Sequence, residues 1–238
     1  MSKYFEPYMS AAERARLAGN TAKRLKKNNP ELSPVIIEGR TIANTWWGKA
    51  WNDNLERYAD YSNRIGRGKS YVRSGAVVDL QIDKGIVNAK VQGTKRKPYT
   101  VEIVIDEIAP KRYQKILEQC SHRIENIEML ANGSFPAELE NIFTAKDGGL
   151  FPSPKEIHFS CSCPDWAYMC KHVAAVLYGI GSRLDHDPLL FFTLRNINMS
   201  DFIKKSVEEK LQTMLKNAQN KSNRVIDENQ LENLFGVL

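Results

Sequence analysis

The stretch Phe159–Gly179, "FSCSCPDWAYMCKHVAAVLYG", holds three of the chain's four cysteines and one of its four histidines. Its pattern is Cys161-x-Cys163, six residues, then Cys170-x-His172. Three thiols and an imidazole are the donors that structural zinc sites use. Residues two apart on an extended strand point to the same side, so Cys161 and Cys163 can reach one ion if the chain bends at Pro164. Residues two apart in an α-helix diverge by about 200°, so Cys170 is expected just before a helix and His172 in its first turn. The apolar helical pattern begins at Val173, in agreement. Two other chemistries compete for the same residues: buried thiols acting as small hydrophobes, and a nucleophilic Cys170–His172 pair. The second leaves Cys161 and Cys163 unexplained.

The text "CSCPDW" followed by "CKHVAAVLY" resembles the SWIM zinc finger over about residues 156–177. That resemblance implies one zinc ion held by Cys161, Cys163, Cys170 and His172. A catalytic zinc keeps a position open for water, whereas four protein ligands close the shell, so the expected ion is structural. "TWWGKAW", "GRGKSYVRSGAVVDLQI" and "VQGTKRKPYTVEI" are similar to the N-terminal part of bacterial SWIM-finger proteins. Many of those are encoded beside Swi/Snf-type helicase-like ATPases, which the resemblance offers as a partner.

Working outward, 238 residues can bury a core without disulfide staples. Cysteines crowded at a spacing of two point to metal more than to disulfides, and hence to a reducing, cytoplasmic setting. The N-terminus lacks the pattern of a secretory signal, and no apolar run approaches the roughly 20 residues of a membrane helix. The net charge of +6 is unevenly spread: residues 1–100 carry 19 Lys+Arg against 9 Asp+Glu, the remainder 15 against 19. A basic first part suits DNA or another nucleic acid, whose phosphates release condensed counterions to Lys and Arg. It equally suits a solvated surface.

The fold class expected is α+β. Residues 1–34 read as a basic N-terminal arm with a helix over 10–28, followed by a short strand at Val35–Ile37. Residues 43–61 read as a helix whose stripe Trp47, Trp51, Leu55 and Tyr58 is core. Alternation at Val78, Leu80 and Ile82, at Val87, Ala89 and Val91, and from Tyr99 to Ile103 gives a three-stranded antiparallel meander within a domain over 35–108. Residues 109–218 read as helical, with helices near 111–130, 136–143, 187–195 and 200–217. The finger, about 156–184, is embedded there as strand, loop and helix. Residues 219–238 read as a polar tail.

Two basic clusters are candidate nucleic-acid contacts. Arg64, Arg67, Lys69 and Arg73 flank "GRGKS" as a basic edge leading into the meander, with Tyr71 among them; local carboxylates compete for the same arginines. Lys95, Arg96 and Lys97 crowd a hairpin tip. "GRGKS" is not a nucleotide-binding loop, because Asn63 stands where that motif needs glycine and a strand is expected after Lys69. Trp166 and Tyr168 are candidate lids over the ion, and Lys171 is placed to offset its charge. His158 is a strand residue before it is a ligand, and Cys120 a buried thiol. The expected function is a non-enzymatic zinc module that binds DNA or a DNA-processing complex. The alternative is an adaptor for a helicase-like ATPase without nucleic-acid contact.

Overall fold

The fold is that of a computed structural model, which describes residues 9–56, 62–121, 129, 137–145 and 149–219. The helical elements are α1 (Ala11–Lys26), α2 (Trp46–Glu56), α3 (Ser62–Arg73), α4 (Pro110–Ser121), α5 (Glu140–Thr144), α6 (Lys171–His186), α7 (Leu190–Leu194) and α8 (Met199–Gln219). The strands are β1 (Val77–Asp83), β2 (Ile86–Val91), β3 (Tyr99–Ile105) and β4 (Ile157–Cys161). The α+β class holds. The Tyr58 end of the tryptophan stripe, the segment past Ser121 and the tail beyond Gln219 lie outside the described residues.

The expected meander forms β1 to β3, and β4 joins it: one antiparallel sheet runs in the order β1-β2-β3-β4. The cysteine loop therefore hangs from the edge of this sheet, and pairing crosses the boundary expected at residue 108. The rows Leu80–Ala89–Val101–Cys161 and Ile82–Val87–Ile103–Phe159 face one side of the sheet. Asn88, Glu102 and Ser160 face the other side and are exposed. A two-residue turn with Gly85 at φ +69° joins β1 to β2, a conformation that glycine adopts without strain. An irregularity between Val77 and Asp79 disturbs the simple alternation, and Val77, Val78, Asp79 and Leu80 are all buried.

The strand expected at Val35–Ile37 is not one. The segment lies extended along the outer edge of β1, with Val35 N–H donating to Val77 O at 3.0 Å and Leu80 N–H to Ser33 O at 2.8 Å. Pro34 lacks the N–H that a ladder needs between them.

At the centre lies α6, whose residues 172–182 are all buried. "VAAVLYGIG" is apolar on every face, as a helix enclosed by neighbours must be. It packs against the sheet on one side and against α2 and α3 on the other. Trp51 is buried and donates its indole N–H to Leu177 O at 2.9 Å, and Trp47 does the same to Leu184 O at 2.8 Å, so the tryptophan stripe is core as expected. "GRGKS" proves to lie inside α3, not before a strand. A Cβ on Gly68 would stand 2.5 Å from Ala174 Cβ, so this glycine serves a close helix–helix approach. The basic α1 is docked: Arg14, Ala18 and Thr21 are buried, and Thr21 donates to Gln92 Oε1 at 2.7 Å. Among the described residues no helix is long and apolar enough to cross a membrane.

Candidate metal centre

β4 ends at Cys161 on the inner face of the sheet, directly against the first turn of α6. The chain turns at Pro164, loops outward and returns at Cys170, which is the N-cap of α6: its backbone is extended and its Sγ accepts from Val173 N–H at 3.5 Å. His172 then falls in the first helical turn. This is the placement that the two-residue spacing demands.

One ligand atom from each of Cys161, Cys163, Cys170 and His172 lies within 4.8 Å of the other three. His172 Nδ1 is 3.9 Å from both Cys161 Sγ and Cys170 Sγ. A tetrahedral ion with Zn–S of about 2.3 Å and Zn–N of about 2.0 Å needs S···N near 3.6 Å and S···S near 3.8 Å. The four donors therefore fit one zinc once they draw together, by about 0.3 Å for these two S···N pairs and by no more than about 1.2 Å for any pair. His172 presents Nδ1 to the sulfurs, while its Nε2 is buried and has no hydrogen-bond partner among the described residues. Cys161 hydrogen-bonds to the Cys170 sulfur, and with His172 it holds Cys170 below the ordinary thiol range. The same contact raises Cys161, and burial raises Cys163. One lowered thiol beside two raised ones is a set of donors from which a cation would displace protons.

A Cys3His zinc carries about −1 charge. Tyr71 and Tyr99 pack on the His172 ring at 5.3 and 4.5 Å between centroids. Arg14 lies 4.1 Å and Lys171 5.8 Å from the centre of the Tyr71 ring, so two cations approach the site through an aromatic wall. A Cβ on Gly93 would stand 2.5 Å from Tyr99 Cε2 and 3.4 Å from His172 Nε2, so Gly93 clears the space that Tyr99 occupies over the imidazole. Tyr71, Tyr99, Gly93 and Arg14 come from three distant segments, and no local spacing marks them.

A family model of the SWIM zinc finger matches residues 157–179, which span β4, the loop and the start of α6. Residues 157–179 are a SWIM zinc finger. Its zinc is one structural ion, with all four positions taken by protein. Uncharacterized protein Rv2102 of Mycobacterium tuberculosis is 34% identical over 183 residues, covering 73% of this chain and 66% of the relative. The chain thus spans just under two thirds of that relative's length. No solved structure matches.

The finger's other residues divide. The proposed lids are not lids: Trp166 is 79% exposed, and Tyr168 turns outward, its hydroxyl donating to Ile157 O at 3.0 Å and its ring 5.1 Å from Phe159. His158 lies on the face of β4 opposite Cys161 and meets Asp106 Oδ2 at 3.3 Å. Cys120 is buried.

The two basic clusters also part company. On α3, Arg64 pairs with Asp165 of the zinc loop at 3.0 Å, Lys69 with Glu56 at 2.7 Å, and Arg73 donates to Arg40 O at 3.2 Å, while Arg67 is exposed. Local carboxylates take Arg64 and Lys69. Lys95, Arg96 and Lys97 are exposed at the tip between β2 and β3, which buried Gln92 anchors by donating to Lys95 O at 2.6 Å. Arg24 in the last turn of α1 reaches Arg96 O at 3.5 Å, so the exposed Lys23, Arg24, Lys26 and Lys27 lie beside the tip.

Proposed function

We propose that this chain is a non-enzymatic, zinc-stabilised module that binds nucleic acid. One observation carries the reading: two basic segments some 70 residues apart, the end of α1 and the hairpin tip, meet at Arg24 and Arg96. They do so at the end of the sheet from which the zinc loop also emerges. β4 runs antiparallel to β3, so the start of β3, where the tip ends, and the end of β4, where the loop begins, are neighbours. Thr100 and Ser162 bond reciprocally there, at 2.9 and 3.0 Å. Among the described residues none of these cations is in an ion pair, and cations collected on one end of a sheet suit a phosphate backbone. The closed ligand shell supports a scaffold role for the ion, with no position for an activated water.

The test is a salt-titrated binding assay with zinc-loaded protein and labelled oligonucleotides. Replacing Lys95, Arg96 and Lys97 together by alanine is expected to weaken binding and to flatten the slope of log affinity against log salt by up to about 2.7, near 0.9 per lost phosphate contact on duplex DNA. No binding of any oligonucleotide at low salt overturns the reading.

A second reading, an adaptor for a protein partner such as a Swi/Snf-type helicase-like ATPase, has its own support. Val207, Leu211, Met214 and Leu215 form an exposed apolar stripe at helical spacing on α8. A pull-down with and without nuclease separates the two: an adaptor keeps its partner after nuclease treatment.

A further inference from the structure

The chain has four tryptophans, and three of them, Trp46, Trp47 and Trp51, belong to α2, where each is at least half-buried. The fourth, Trp166, is 79% exposed. It stands on a loop held on both sides. Cys163 and Cys170 tie the loop to the metal. Asp165 accepts from Arg64 at 3.0 Å and from Ala167 N–H at 3.3 Å, and Tyr168 is fixed to β4 through its hydroxyl and ring. Buried Ala167 and Met169 alternate with exposed Trp166 and Tyr168, so the outward face of the loop is aromatic and its inward face is core. An indole presented on a rigid support loses little conformational entropy when it is covered.

We propose that Trp166 is a stacking platform for an unpaired nucleobase, with Tyr168 beside it, so that the ligand class of this surface is single-stranded nucleic acid. The proposal rests on the nucleic-acid reading above and narrows it. Charge decides for a nucleobase over an apolar pocket on a protein. The loop leaves the sheet at the same end as the Lys95–Lys97 tip and the basic last turn of α1, so the proposal sets the phosphates of one strand on those cations and a base of the same strand on the indole. In a duplex the base faces are stacked on one another; only an unpaired strand can offer one to Trp166.

Zinc-loaded full-length protein is titrated with a single-stranded thymidine oligonucleotide and with a duplex of equal length, following both anisotropy and tryptophan emission. The single strand is expected to bind more tightly and to quench emission. Trp166→Ala is expected to lose about 5- to 150-fold in single-strand affinity while leaving duplex affinity unchanged, and Trp166→Phe to retain most of it. The residue is exposed, so zinc content and circular dichroism of the variants should match the parent. Salt-sensitive binding that is equal on both probes and indifferent to Trp166→Ala overturns the stacking platform and leaves the nucleic-acid reading standing. Absence of binding to both probes at low salt overturns the two together.

Discussion

At its C-terminal end β4 runs into three thiols and an imidazole set for one ion; at its N-terminal end it is preceded by Glu156, whose carboxylate is bound by two arginines. Arg112 donates to Glu156 Oε2 at 3.1 Å and to Oε1 at 2.6 Å, Arg195 to Oε1 at 2.8 Å, and Ser153 N–H to Oε2 at 2.8 Å. Both knots fasten the edge strand to helices: the first to α6, the second to α4 and to the chain just after α7. They differ in how their members are strung. The metal ligands fall within a dozen residues, whereas Arg112 and Arg195 lie 44 and 39 residues from Glu156. A metal site is written as local spacing because the loop between ligands must close over a radius of about 2 Å. A salt-bridge hub imposes no spacing at all.

The largest effect is expected from breaking the first knot. Metal affinity and folding are linked, because an unfolded chain offers no preformed tetrahedron. Strong chelation, or Cys163→Ala, is expected to unfold the segment 156–184. The loss should spread further, since α6 is enclosed by α2, α3 and the sheet. Far-UV circular dichroism and zinc content check this; an unchanged spectrum with one zinc still bound in Cys163→Ala shows that the other three donors and packing suffice to hold α6, and overturns the expectation.

The contrast between the knots also explains what could be read from the sequence. The finger's strand, loop and helix were legible because each constraint is short-range: alternation in β4, Pro164 at the bend, an apolar run starting at Val173. The closing of the sheet by β4 was not, because pairing between Val101 and Cys161 depends on a connection of more than fifty residues. The same limit hid the fate of the arginines on α3. Arg64 and Lys69 look alike with Lys95 and Arg96 in the sequence, but Asp165 and Glu56 reach only the first pair. Gly66 and Gly68 disfavour a helix, and a strand was expected after Lys69. Contact with Ala174 makes the second one necessary inside a helix.

Breaking the second knot should cost less, and with a distinctive pH dependence. Despite partial burial, bonds from Arg112, Arg195 and Ser153 hold the Glu156 carboxyl down at about 2, against an ordinary 4.5. A carboxyl depressed in the folded state adds stability that is complete above its unfolded value and is lost as pH falls toward the folded one. Here the window runs from about pH 5 to about pH 2. Glu156→Gln keeps the shape but strands Arg195, whose side chain is only 1% exposed, without its counter-charge. The expected loss is on the order of 2 kcal/mol, below the ~3–5 kcal/mol of a fully buried pair because the carboxylate is partly solvated. Denaturant unfolding at pH 7 and pH 4 checks both parts. The gap between parent and variant should narrow at the lower pH, and a gap independent of pH would assign the loss to packing.

The smallest effect is expected where the first knot touches the basic helix. Arg64 and Asp165 form an ion pair at 3.0 Å, with each side chain nearly a fifth exposed. Asp165 keeps its bond from Ala167 N–H when Arg64 is removed, and Cys163 and Cys170 still fix both ends of the loop at the metal. Arg64→Ala should therefore lower stability by less than about 1 kcal/mol, the range of partly solvated pairs, with zinc content unchanged. A thermal melt beside metal analysis measures the two together. Loss of zinc in this variant would mean that the ion pair shapes the loop before the metal enters, and the metal would then be closing a structure that α3 has already set.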